Sequence, residues 1–277
     1  MNMTTRLRKV PFWSWVWFVL GALYFILPLY ATLDFSLRMQ RGVISLKAYQ
    51  SAFADPEFLR TFGFSVLLAV ATIIVSIILV VPTAYWIRLR LPEARRIVEF
   101  ITLLPFVIPA IILVFGLIRV YSTPVKLPLT DITVMEPLTT FKFGTNILIV
   151  AGYMVLGLPY MYRSVDTGMR TVDVRTLTEA AQSLGANWFT IITRIILPNV
   201  RTALLSGALL TFAIVVGEVV LASFLGVPTF GPYLFLLGQH RAYEPAALTF
   251  TTFLLTWLAM GIIQLITGGQ GQVSGAH

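Results

Sequence analysis

Residues 62–87, FGFSVLLAVATIIVSIILVVPTAYWI, run for 26 positions without a charged side chain. A helix rises about 1.5 Å per residue, so this stretch is long enough to cross a hydrocarbon core of about 30 Å. Four more stretches, 10–33, 100–118, 143–162 and 245–267, repeat the pattern with no charge inside them. A sixth, 199–224, carries Arg201 at its edge and Glu218 in its interior. The pattern predicts an all-α integral membrane protein with six transmembrane helices. Pro28, Pro82, Pro105, Pro109 and Pro159 fall inside these runs, and proline in a bilayer survives where neighbouring helices satisfy the freed carbonyls, so kinked and packed helices are expected.

Composition agrees. Of 277 residues, 57% are hydrophobic and 12% charged, against about a quarter charged in soluble domains, and the mean hydropathy is +0.85. The net charge of +8 would raise nucleic acid as a partner, but the basic residues sit in short clusters between apolar runs, the arrangement that sets membrane topology. Nucleic acid is therefore excluded as a partner, and the lipid bilayer is the solvent. The chain has no cysteine, which removes disulfides and thiolate metal sites. Arg6, Arg8 and Lys9 precede the run 10–33, which exceeds the 7–15 residues of a cleaved signal core and is expected to remain as the first span. With the N-terminus inside, the cytoplasmic segments hold 12 of the 20 Lys and Arg residues, so both termini are expected in the cytoplasm. The chain then divides into a first span with its outer loop (1–60), a membrane core (61–267) and a Gly-rich flexible tail (268–277).

The segment 163–198, between spans four and five, is longer than an ordinary helix connection. Asp173 can cap a helix, and Thr176 with Glu179 offers a second capping box. Leu177, Ala180, Ala181, Leu184 and Trp188 then recur at helical spacing and give one apolar face. Gly185 permits a sharp turn at low cost. Ile191, Ile192, Ile195, Ile196, Leu197 and Pro198 form a second helix that feeds the next span.

At this point the sequence resembles a known family. Glu179, Ala180, Ala181, then Gly185, Ile195, Leu197 and Pro198 match, position for position, the EAA-x3-G-x9-I-x-LP loop of binding-protein-dependent ABC permeases of type I importers. The resemblance covers about residues 61–267 and implies that the loop is a cytoplasmic coupling helix docking on an ATP-hydrolysing subunit, with Glu179, Ala181 and Gly185 in that role. It further implies two copies of an ABC ATPase, a second related permease subunit forming a heterodimer, an extracytoplasmic solute-binding protein, and a place in a bacterial inner membrane. The length and the run from Gly217 through Glu218 to Ser223 and Phe224 look most like the spermidine/putrescine group, although Gly217 stands where some members have a second acid. Ferric iron, phosphonate and other permeases share much of the same core. No Gly-x4-Gly-Lys-Ser/Thr occurs, so no cofactor is expected in this chain and ATP is expected on the partner ATPase.

Glu218 is the one clear carboxylate inside a span. Its burial is costly unless water or a partner reaches it. It reads either as a pathway group that attracts a cationic solute or as a packing residue hydrogen-bonded to a neighbour. On a continuous helix, Ile214, Leu221, Ala222 and Leu225 would share its face, with Ala222 lining the same path. The segment 226–243 reads as a gate or a packed lid. Trp13, Trp15 and Trp17 suit an interfacial belt, and the arginines 88–96 suit a topology signal. His240 stands without a co-ligand, so no metal site is expected. With two histidines, no cysteine and few carboxylates, no catalytic constellation is present and an enzyme is not expected. A self-contained secondary transporter or channel would show internal repeats and more intramembrane polar groups, which are missing.

Overall fold

Long apolar runs without interior turn residues can satisfy their backbone polar groups only within themselves, and in this protein they form helices. The computed structural model describes residues 12–40, 42–126 and 133–268. The basic cluster Arg6, Arg8 and Lys9, the first two residues of the run 10–33, and the tail beyond residue 268 lie outside them. The chain separates into two compact units, Met1–Asp55 with Leu237–Leu255, and Pro56–Leu236 with Thr256–His277.

In the first unit, α1 (Phe12–Ser36) is 25 residues long and bears Pro28 inside it. Its large side chains, Trp13, Trp15, Trp17, Phe18 and Phe25 among them, are exposed. A helix apolar on all sides suits lipid rather than water. Thr32 Oγ1 donates to the Pro28 carbonyl at 2.8 Å. The short α2 (Lys47–Phe53) is held to the end of α1 by a 2.8 Å hydrogen bond between the Ser36 and Tyr49 hydroxyls.

The second unit begins with α3 (Pro56–Leu89), 34 residues that contain the quoted stretch and tolerate Pro82. The run 100–118, expected as one span, is broken into α4 (Arg95–Val107) and α5 (Ala110–Tyr121), bent by 103°. The cause is local. Ile108 before Pro109 is extended at φ −85, ψ 115, because the proline ring disfavours helical geometry at the preceding residue. A two-stranded antiparallel hairpin, β1 (Val125–Lys126) and β2 (Thr133–Met135), departs from the otherwise helical expectation. Next, α6 (Lys142–Arg170) contains Pro159 and runs eight residues past the predicted end of its span. It is followed by α7 (Val174–Ser183), α8 (Trp188–Thr190), a π turn (Ile191–Ile196) and α9 (Leu197–Asn199).

The run 199–224 is also broken, into α10 (Arg201–Gly217) and α11 (Val220–Phe224). The helices α12 (Phe230–His240) and α13 (Tyr243–Gly268) complete the chain. Among the described residues, three helices are long and apolar enough to cross a bilayer singly: Trp13–Ser36, Pro56–Leu89 and Lys142–Arg170. Two bent pairs, Pro92–Val107 with Ala110–Tyr121 and Trp188–Asn199 with Arg201–Gly217, raise the number to five if each pair is one crossing.

The centre of the second unit is the packing of α3, α6 and α10. In lipid, helices gain little from the hydrophobic effect, so close contact depends on small residues. An ideal Cβ on Gly157 would lie 3.0 Å from Thr211 Cγ2, and one on Gly207 would lie 3.0 Å from Met161 Sδ. At either position a side chain larger than glycine's would require its neighbour across the α6–α10 seam to shift.

Candidate functional site

The segment from Asp173 to Pro198 folds as a helix, a tight turn and a second helix. Asp173 is the N-cap of α7, accepting from the Thr176 amide at 3.2 Å and from the Thr176 hydroxyl at 2.7 Å. These bonds hold its carboxyl below the usual carboxylate range, the Thr176 hydroxyl contributing most. The second capping box does not form. Thr176 already lies inside the helix, and Glu179 turns to Arg175 at 2.9 Å instead of reaching back to the chain. Aspartate caps better than threonine, and Arg175 stands one turn before Glu179, where an ion pair costs no backbone change.

The helix ends at Gly185, where φ is +79. The Gly185 amide donates to Gln182 O at 2.9 Å and the Ala186 amide to Ala181 O at 3.0 Å. This bond pair is a Schellman cap, which needs a left-handed residue at the turn. Asn187, a cap the sequence reading passed over although asparagine is a good N-cap residue, then accepts from the Thr190 amide at 2.8 Å and starts the next helix. Pro198 lacks an amide proton, and the π turn just before it accommodates the gap. Asn199 Nδ2 donates to the Ile195 carbonyl at 2.8 Å. The chain then bends by 80° into α10.

The predicted apolar face of α7 splits in two. Ala181 is buried in one cluster with Val81, Tyr85, Met161, Met169 and Ile191, and Ile195 and Leu197 pack against that cluster. Tyr85 OH also meets Thr178 Oγ1 at 3.3 Å, tying α7 to α3. Ala180, Gly185, Leu184, Trp188 and Phe189 remain exposed, Leu184 at 89%. The turn therefore presents an apolar surface while its other side is anchored to the ends of α3 and α6. Glu179 and Pro198 are exposed as well.

Beneath this loop lies an ion network that the sequence reading missed. Asp166 on α6 accepts from Arg88 at 3.0 Å, Arg95 at 3.1 Å and Arg170 at 2.8 Å, and Glu99 accepts from Arg95 at 2.9 Å. Arg88 also donates to the Met169 carbonyl at 2.7 Å. The arginines of the 88–96 cluster are thus partly structural, joining α3, α4 and the C-terminus of α6. The four-residue spacings Arg95–Glu99 and Asp166–Arg170 were the available sequence signal.

Glu218 does not sit on a continuous helix. It is the residue after α10, at φ −75, ψ 131, and its carboxylate accepts from the amides of Leu221 at 2.9 Å and Ala222 at 3.2 Å. It caps α11 across the break. The helical-face argument for Ile214, Leu221, Ala222 and Leu225 therefore fails, because the helix is interrupted between them. Leu221 and Ala222 are fully buried. The buried Tyr153 hydroxyl faces both Glu218 and Thr229.

Long apolar helices, two broken at internal bends, and an exposed apolar turn anchored at their ends are the features of a multi-pass membrane protein. Residues 81–268 match the family described as binding-protein-dependent transport system inner membrane component, and the chain belongs to that family. Its members transport solutes as ABC importer permeases and are not enzymes. A spermidine/putrescine transport system permease protein PotB homolog of Mycoplasma genitalium is 26% identical over 86% of this chain and 83% of its own. A probable molybdenum ABC transporter permease protein of Haloferax volcanii is 30% identical over 56% of this chain and 54% of its own, so this chain spans about half of that relative. Among solved structures, a bacterial ABC transporter involved in the import of the acidic polysaccharide alginate matches with a TM-score of 0.68 at 15% identity, covering 94% of this chain and 97% of that one.

Proposed function

We propose that this chain is a six-span permease subunit of an ABC importer in a bacterial inner membrane, with both termini cytoplasmic and α7 as a cytoplasmic coupling helix. In this reading α13 is the sixth crossing. The coupling loop docks on a separate ATPase that binds ATP, two copies of which serve a permease pair completed by a second, related subunit. An extracytoplasmic solute-binding protein delivers the solute. The observation that carries the reading is the exposed surface of Leu184, Trp188 and Phe189, set by the left-handed turn at Gly185 and backed by buried Ala181. Small Ala180 and Gly185 allow close approach of a partner groove, and Glu179 supplies a carboxylate at its edge.

The test is copurification of the ATPase with Leu184→Asp and Phe189→Asp. Both side chains are solvent-facing, so the permease should remain folded and membrane-inserted while the ATPase is lost. Undiminished copurification would refute the docking assignment.

For the solute, the Mycoplasma genitalium relative supports a polyamine. Glu218 adds little to that reading, because its carboxylate is engaged by two backbone amides. Spermidine uptake by vesicles bearing the complete transporter tests it directly.

A further inference from the structure

The end of α6 opposite the docking loop borders a chamber of about 710 Å³. Its walls come from the start of α6, from α3 between Arg60 and Leu67, and from the segment that follows α11, Leu225 to Pro228. The chamber is therefore walled in part by the segment just after the broken fifth span, which turns at Gly226, where φ is +67.

The lining is electrostatically one-sided. Arg60 and Lys142 face the chamber, and no carboxylate is among its lining residues. Arg60 has one N–H at 3.0 Å from Glu57, with both side chains more than half exposed, and such a pair is weak and readily exchanged. Lys142 is exposed and has no ion pair among the described residues. The other polar groups sort by what they can still offer. The Thr140 hydroxyl donates to Pro137 O at 2.7 Å and the Thr145 hydroxyl to Phe141 O at 3.2 Å, so their protons are already used. Half-buried Asn146 keeps its amide available. Among the described residues the chamber's side-chain donors are thus Lys142, Asn146 and Thr139, with Arg60 shared with Glu57. A recess with walls of one sign concentrates solutes of the opposite sign and repels like charge.

We propose that this chamber is a subsite for a small anionic solute, an oxyanion or a carboxylate-bearing molecule, held by Lys142 and Arg60 with Asn146 as hydrogen-bond donor. The proposal rests on the permease reading for its direction: with the docking loop cytoplasmic, the chamber opens at the extracytoplasmic entrance. It names a solute class of opposite sign to a polyamine. A charge-assisted hydrogen bond orients an anion more strongly than a neutral one, and Lys142 as a flexible point charge can release the solute onward.

The experiment uses the full chain in phosphatidylcholine nanodiscs and equilibrium dialysis with sulfate, molybdate and spermidine as probes. Saturable binding of at least one dianion is expected, weakened about tenfold by Lys142→Gln, restored by Lys142→Arg, and weakened again by Arg60→Gln. Spermidine should not displace the bound dianion. The proposal is overturned by absent dianion binding, by equal binding in Lys142→Gln, or by displacement of the dianion by spermidine. Dianion binding that disappears when phosphatidylglycerol is added to the nanodisc would assign the chamber to a lipid headgroup and also overturn it. Size-exclusion profiles confirm that the variants fold, and Lys142→Arg with Arg60→Gln keeps the test decisive if Lys142→Gln does not. ATPase copurification is measured on the same samples: its loss in the wild type would refute the permease reading alone, while its persistence without dianion binding would refute the subsite alone.

Discussion

Replacing Gly185 isolates a backbone conformation from the packing around it. At φ +79 an ideal Cβ on this residue meets nothing within 4 Å, so a substitution adds no collision and its cost is conformational. For an L-residue that cost is about 1–2 kcal/mol in the left-handed region, and a β-branched residue fares worst. Asparagine tolerates this region best among non-glycine residues. If the turn relaxes to avoid the strain, the two cap bonds from Gly185 and Ala186 are lost, each contributing about 0.5–1.5 kcal/mol net. The expected order of ATPase docking is therefore Gly185, then Asn, then Ala, then Val. Alanine should weaken docking by about tenfold, since about 1.4 kcal/mol corresponds to that factor. Docking is read by titrating purified ATPase onto immobilised permease in detergent, with membrane insertion monitored separately. Equal affinity in Gly185→Val would refute the reasoning, and so would Gly185→Asn behaving as badly as valine, because the determinant would then be bulk and not the sign of φ.

Three further outcomes follow from the geometry. Glu218→Gln keeps one acceptor for α11 but loses the other, so thermal stability in detergent should fall by about 1–2 kcal/mol while ATPase copurification persists; loss of transport with unchanged stability would restore a pathway role. Asp166→Asn removes the negative charge shared by Arg88, Arg95 and Arg170 and one of its two acceptor oxygens, and the last two arginines are substantially exposed, so after solvent screening a loss of about 1–2 kcal/mol is expected, and an unchanged unfolding midpoint would show that the network is ornamental. The Asp173 carboxyl is depressed in the folded state, so its contribution is fully present above the unfolded value near 3.8 and is lost as pH falls through the lower folded value. Hydrogen exchange at the Thr176 amide should accelerate only in that acidic window, and a Thr176 amide whose exchange is indifferent to Asp173→Ala would refute the cap.

What the sequence determined on its own was material and local. Charge-free runs such as 62–87 leave lipid as the only suitable solvent and helix as the form that satisfies their backbone. Asp173 and Gly185 state where α7 starts and stops, because capping and left-handed geometry depend on residues a few positions apart. The seven-position match from Glu179 to Pro198 pointed to the family for the same reason, being a fixed spacing along one stretch of chain. Tertiary structure decided what depended on distant partners. Asp166 and Arg88 are 78 positions apart, and nothing in either neighbourhood announces that they meet. Ala181 and Leu184 look equally apolar in sequence, yet only contact with α3 and α6 decides that the first is an anchor and the second an exposed surface. Hydropathy also could not reveal that the runs 100–118 and 199–224 break, since a broken helix and a straight one have the same composition. The break at Glu218 is stable because its carboxylate satisfies the amides of Leu221 and Ala222, a compensation that exists only once the chain has folded.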